Sequence, residues 1–148
     1  MRDMSPKMLS LQSLQDDEQE TCQLALAQRA RAYAPYSGFC VGAAVRTTTG
    51  RTYLGCNVEN ASYGLTICAE RNAVAAAISA GDREFVHIAI ATDNRPPASP
   101  CGACRQVLYE LGPTMTVLLV NPQDQVERST LSDLLPRGFD GTDLKRDV

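Results

Sequence analysis

The chain has no tryptophan, one histidine and three phenylalanines among its 148 residues. Nor does it have an apolar stretch approaching the roughly 18 residues of a membrane-spanning helix, so no membrane partner is expected. Its first ten residues lack the basic start and long apolar run of a secretory leader. Positive charge is scarce. Fourteen Lys and Arg against 17 Asp and Glu leave a net charge of -3, with an isoelectric point near 5.1. Non-specific binding to a nucleic-acid backbone needs a basic surface, so no nucleic-acid partner is expected either, although a local basic patch stays open. There is no internal repeat, low-complexity tract or interdomain linker. These absences point to a cytoplasmic protein. What remains is ordinary globular composition, 44% hydrophobic and 21% charged, at a length that makes one domain with a proper core.

Residues 1–14 show no clean periodicity and read as a flexible N-terminal tail, leaving 15–148 as a single domain. Asp16, Asp17, Glu18 and Glu20 put negative charge where a helix macrodipole favours it, at a helix start. That helix should stop near Ala34, before Pro35. Phe39 to Thr47 and Arg51 to Asn57 read as strands joined by a hairpin at Thr49-Gly50. A second helix is predicted over Thr66 to Ala80, with Gly81 as its stop. Its Ala-rich stretch from Ala73 to Ala77 lets another backbone approach closely. Phe85 to Ala91 reads as a buried strand. A helix from Cys101 or Gly102 to Leu111 follows, then strands over Met115 to Val120 and Gln125 to Arg128, and a short helix from Thr130 to Leu135. The order α-β-β-α-β-α-β-β-α predicts a three-layer α-β-α sandwich around a mixed sheet of about five strands.

The six cysteines, in a chain expected to stay in a reducing compartment, read as metal ligands or buried thiols rather than disulfides. Cys101 and Cys104 are one helical turn apart at a predicted helix start, so both can reach one metal ion. Cys68 lies near another helix start, where the positive helix end favours the thiolate. Three thiolates leave the fourth tetrahedral position of a zinc ion open. Glu70 follows Cys68 by two residues. On a regular helix the two side chains would face apart, so Cys68 is placed in an irregular first turn. An open zinc position beside a carboxylate is apparatus for activating water. Three thiolates on one Zn²⁺ leave a net negative charge, which Arg71 is placed to offset by donating to a thiolate. Cys22, Cys40 and Cys56 read as thiols without chemistry. A closed four-cysteine zinc site using Cys56 and a redox C-x-x-C pair are the alternatives. His87, in an apolar strand, reads as a packed core residue.

A Cys-Ala-Glu followed at a distance by Pro-Cys-x-x-Cys is the signature of zinc deaminases. The chain resembles the small homotetrameric cytidine deaminases from about Cys22 to Leu144. Five blocks carry the resemblance: Tyr33-Ala34-Pro35-Tyr36-Ser37-Gly38-Phe39, Gly55 through Tyr63, Cys68-Ala69-Glu70-Arg71, Ser99 through Gln106, and Leu134 through Phe139. The resemblance implies one Zn²⁺ per subunit on Cys68, Cys101 and Cys104, with Arg71 and Gln106 as supports around the site. It implies Asn57 and Glu59 at the ribose hydroxyls and Phe39 against the pyrimidine. It places Tyr63 and Phe139 in a neighbouring subunit's site, within a homotetramer. The backbone around Ala69 and Ser99 is expected on the base's amide edge, since backbone groups read a base without needing particular side chains.

The implied reaction is hydrolytic deamination of cytidine and 2′-deoxycytidine in pyrimidine salvage. Glu70 takes a proton from water and passes it to ring N3, then delivers one to the leaving amine. Deamination of another amino-substituted base is the alternative among enzymes. A catalytically silent zinc module is the alternative among binding proteins, and it has no use for Glu70.

Overall fold

The predicted strands and helices form in the expected order, with one strand added at the front. The computed structural model describes residues 6–144. Its elements are β1 (Met8–Leu9), α1 (Asp16–Gln28), β2 (Gly42–Thr47), β3 (Thr52–Cys56), α2 (Ala69–Ser79), β4 (Phe85–Ala91), α3 (Gly102–Leu111), β5 (Thr116–Val120), β6 (Val126–Thr130) and α4 (Leu131–Leu134). Asp16, Asp17 and Glu18 occupy the first turn of α1, beside the positive end of its dipole. That helix ends earlier than Ala34. It tightens into a 3-10 turn at Arg29–Arg31, and the Tyr33 amide then donates to the Asn57 carbonyl, drawing the chain towards the sheet edge.

The strands lie in the order β1-β6-β5-β4-β2-β3. Among the described strands only β4 and β5 pair in parallel, and α3 makes the crossover between them, as parallel neighbours require. Side chains alternate across the sheet. Ile88 and Ile90 of β4 face α2 and α3, while Ala89 and Ala91 face α1. The layers are therefore helix, sheet, helix.

The sheet has six strands rather than about five. Met8 and Leu9 pair with Glu127 and Val126, and the Leu11 amide donates to Asp124 at 2.8 Å. The flexible tail expected over 1–14 is corrected accordingly: residues 1–5 lie outside the described residues, and from Met8 the chain is bound to the sheet. Pairing with a ready edge fixes a segment too short to show a period. The other strand limits shift by a few residues. Phe39 to Val41 precede β2 and are held mostly by side chains, with one backbone bond from the Asn57 amide to the Val41 carbonyl.

Two glycines set how close the helices sit. A Cβ on Gly42 would lie 2.1 Å from the Ala25 carbonyl oxygen of α1, and one on Gly55 would lie 2.2 Å from the Ala69 carbonyl oxygen of α2. Ala73 and Ala77, on the same helix, are fully buried against the sheet. The small residues thus let the first turn of α2 rest on β3. We expect Gly55→Ala to destabilise the fold by about 1–3 kcal/mol, since overpacking must push that turn away. Urea denaturation would measure it, and an unchanged midpoint would contradict the contact.

Candidate functional site

Helices α2 and α3 begin side by side. Cys68 is the N-cap of α2, Cys101 is the N-cap of α3, and Cys104 stands in the first turn of α3. The N-cap position, outside the regular helix, is how Cys68 and Glu70 come to face one pocket. The three sulfurs lie within 4.8 Å of one another, and the Cys68 and Cys101 sulfurs are 3.9 Å apart. Tetrahedral zinc with bonds of about 2.3 Å holds its sulfurs about 3.8 Å apart. The donor set, its spacing and its place at two positive helix ends fit a zinc ion.

The electrostatics agree with a ligand cluster. A hydrogen bond from Cys104 holds the Cys68 thiol down at about 5, against the opposing effect of burial and with help from Arg71 and Cys101. Cys104 is pushed up, first by giving that hydrogen bond to Cys68, then by burial and the Glu70 charge. The sulfurs thus share protons that a divalent cation would displace. Arg71 donates from Nη2 to Cys68 Sγ at 3.7 Å and to the Thr66 carbonyl at 3.3 Å. Its Nε is buried without a partner among the described residues.

The other cysteines lie elsewhere. Cys22 lies on the sheet-facing side of α1, where burial raises its thiol to about 12. The Cys56 thiol donates to the Arg31 carbonyl at 3.4 Å, and the Cys40 thiol to Gly38 at 3.8 Å. His87 is buried, with Nε2 2.9 Å from the Thr21 hydroxyl. That hydroxyl already donates to the Asp17 carbonyl, so it accepts from the ring.

Beside the sulfurs opens a cavity of about 300 Å³, at the small end of ligand sites. Cys68, Ala69 and Glu70 form its floor. Phe39, Val41, Asn57 and Glu59 form one wall, and Ile90, Thr92, Ala98, Ser99 and Cys101 the other. Glu70 is 4% exposed. Burial is the main cause that pushes its carboxyl up; its own backbone amide opposes this and the Cys68 charge adds to it.

Asn57 and Glu59 spend much of their bonding capacity on the loop that carries Phe39. Asn57 accepts from the Val41 amide at 2.9 Å and donates to the Phe39 carbonyl at 2.7 Å. Glu59 accepts from the Tyr36 and Ser37 amides at 3.0 and 3.1 Å and from the Ser37 hydroxyl. An amide has two donors and two acceptor sites, and a carboxylate about four acceptor sites. Each residue therefore keeps some capacity for a ligand, and each also orients the loop. Without a geometry, the sequence reading could not assign this loop-holding role.

Tyr63 and Phe139, 74% and 54% exposed, do not line this cavity. Tyr63 borders a shallow depression that shares Ser37, Glu59 and Thr66 with it. Gln106 donates to the Phe139 carbonyl at 2.8 Å, so it braces the C-terminal segment; no hydrogen bond joins it to the cysteines among the described residues. Ser37, Val41, Ile90, Thr92 and Ala98 were not anticipated as cavity residues. Thr92 follows a strand end and Ala98 sits in a proline-rich loop, and neither position carries a local signal.

Comparison with known proteins adds the following. Residues 15–120 match the family described as cytidine and deoxycytidylate deaminase zinc-binding region. A cytidine deaminase of Halalkalibacterium halodurans is 48% identical over 129 residues, covering 86% of this chain and 98% of that protein. The crystal structure of a cytidine deaminase from Burkholderia pseudomallei superposes with a TM-score of 0.79 at 52% identity, covering 81% of this chain and 97% of that one. One from Mycobacterium tuberculosis gives 0.73 at 42%, covering 84% and 98%.

Proposed function

The chain belongs to the cytidine and deoxycytidylate deaminase family, and on that premise we propose that it hydrolyses cytidine and 2′-deoxycytidine to uridine and 2′-deoxyuridine, releasing ammonia. The observation that carries the reading is one cavity lined by a buried carboxyl, Glu70, and by Cys68 and Cys101, two of the three clustered sulfurs. Cys68, Cys101 and Cys104 would hold one zinc ion. When bound, zinc supplies the Lewis acidity that makes water a nucleophile near neutral pH.

The rest falls to the chain's own residues. Phe39 packs on the pyrimidine, and the remaining capacity of Asn57 and Glu59 serves the ribose hydroxyls. The backbone at Ala69 meets the base's amide edge. Glu70 accepts a proton as the water oxygen bonds to C4, and delivers it to ring N3. It then takes the remaining hydroxyl proton and gives it to the amine as the C4–N bond breaks. One water is consumed and one ammonia leaves. Burial suits a carboxyl that must be both base and acid near neutral pH. Arg71 partly neutralises the Cys68 thiolate.

Salvage of free nucleosides in the cytoplasm suits this chemistry, with residues 15–148 as the catalytic domain. No helix among the described residues is long and apolar enough to cross a membrane. A homotetramer with shared sites is part of the same reading. Exposed Tyr33, Tyr36, Leu54, Val58, Tyr63, Leu65 and Phe139 leave much apolar surface for subunit contact.

The test is to incubate the zinc-loaded protein with cytidine, deoxycytidine, their monophosphates and adenosine, following ultraviolet absorbance and ammonia. Both nucleosides should be consumed, and the monophosphates and adenosine spared. Inertness towards both nucleosides would overturn the activity. Light scattering on the same sample should give four chains per particle; a fully active monomer would remove the shared sites.

A further inference from the structure

One wall of the cavity has almost no backbone support. Between β4 and α3 the chain passes through Pro96, Pro97 and Pro100, which have no amide hydrogen to give. Among the described residues, no backbone–backbone hydrogen bond outside the regular elements begins or ends at residues 93–100. Yet Ala98 and Ser99 line the cavity and Cys101 closes its end. Side chains must hold this wall, and one dominates.

Arg105 folds back from α3 onto the loop that precedes the helix. Its Nε donates to the Pro100 carbonyl at 2.8 Å, and its Nη2 to the Ser99 hydroxyl at 2.7 Å. Its Nη1 reaches across to the Leu134 carbonyl at 2.6 Å, at the end of α4, where helical carbonyls lack intrahelical partners. A planar guanidinium meets three acceptors on two segments at once, which a lysine cannot do. On the far side of the wall the Ala98 amide donates to the Thr92 hydroxyl at 3.0 Å, Asn121 Nδ2 donates to the Asn94 carbonyl at 2.9 Å, and Arg29 pairs with Asp93, but none of these reaches Ser99 or Pro100.

We propose that Arg105 is a positioning residue for nucleoside binding: its guanidinium sets the Ser99–Cys101 wall against the ligand, touching neither the ligand nor the reacting atoms. The inference rests on the deaminase reading. A wild-type protein inert towards cytidine sinks that reading, whereas an active wild type indifferent to the loss of Arg105 sinks only this one.

Arg105→Gln, Arg105→Lys, Ser99→Ala and the Arg105→Gln/Ser99→Ala double variant would be compared as full-length, zinc-loaded proteins. The readouts are cytidine kinetics, uridine binding by calorimetry, zinc content and the urea midpoint. Arg105→Gln should raise KM for cytidine and Kd for uridine roughly tenfold, the size of one charge-assisted hydrogen bond, with kcat changed less than about threefold. Arg105→Lys should recover part of the binding. Adding Ser99→Ala to Arg105→Gln should cost little more, because the two act through one contact. Wild-type KM and Kd in Arg105→Gln, even with a lowered urea midpoint, would overturn the proposal and leave Arg105 as a brace of the fold. So would additive losses in the double variant. If Arg105→Gln does not fold, Arg105→Lys and Ser99→Ala decide: unchanged uridine affinity in both refutes the role.

Discussion

Glu70→Gln should lower kcat for cytidine by at least about 10²-fold while zinc content stays at one per chain. The amide keeps the shape and burial of the side chain, so the cavity floor is preserved. It cannot accept the water proton or carry it to N3 and the amine, so both transfers fail together. The same substitution should leave the thermal midpoint at neutral pH equal or higher. Burial raises the Glu70 carboxyl in the folded protein, so the fold binds its proton more tightly than the unfolded chain does. Stability tied to that proton is full below the unfolded pKa and is lost as pH rises through the folded value. Near pH 7 the wild type therefore carries a cost that glutamine lacks.

The wild-type pH profile follows from the same group. Glu70 must begin the reaction ionised, so kcat/KM should fall on the acid side as its carboxyl takes up a proton, burial moving that limb up and a bound cation moving it down. Near wild-type turnover in Glu70→Gln, or an acid limb that survives in that variant unchanged, would contradict the assignment.

The chemistry of this site was more legible in the sequence than its geometry. Thiols and a carboxylate at fixed spacings announce a metal and a proton carrier, because few other arrangements of those residue types are useful. The element order was readable for similar reasons: Pro35, Gly50, Gly81 and Pro100 interrupt the chain where the backbone must turn. Strand β1 was not readable, since two residues have no period and Met8–Leu9 owe their form to β6. Asn57 and Glu59 show the limit most sharply. Spacing and resemblance pointed them at a ribose, but the structure also sets their polar atoms on the Phe39 loop. Hydrogen bonds between distant segments leave no mark in local sequence. Arg105 and Gln106 follow Cys104 directly, yet they reach Leu134 and Phe139, some thirty positions on.

Cys101→Ala separates the metal from the packing more cleanly than either other cysteine, and its expected effect is the second largest. Cys101 is exposed, whereas Cys104 is fully buried in the core. Losing the Cys101 sulfur therefore opens no interior cavity, and what the variant loses is a ligand. Two sulfurs, Cys68 and Cys104, cannot complete a tri-thiolate site, so zinc content should fall from one per chain to about one tenth or less. Activity should vanish with it. An ion bound to the folded state alone raises stability by mass action. Added zinc should consequently raise the melting temperature of chelator-treated wild type and leave that of Cys101→Ala where it is. Without metal the two proteins should melt within a degree or two of each other, because the exposed thiol packs against little. A full complement of zinc in Cys101→Ala would remove Cys101 from the ligand set. A melting temperature well below that of metal-free wild type would mean instead that the thiol braces the start of α3, and that zinc is not what the substitution reports.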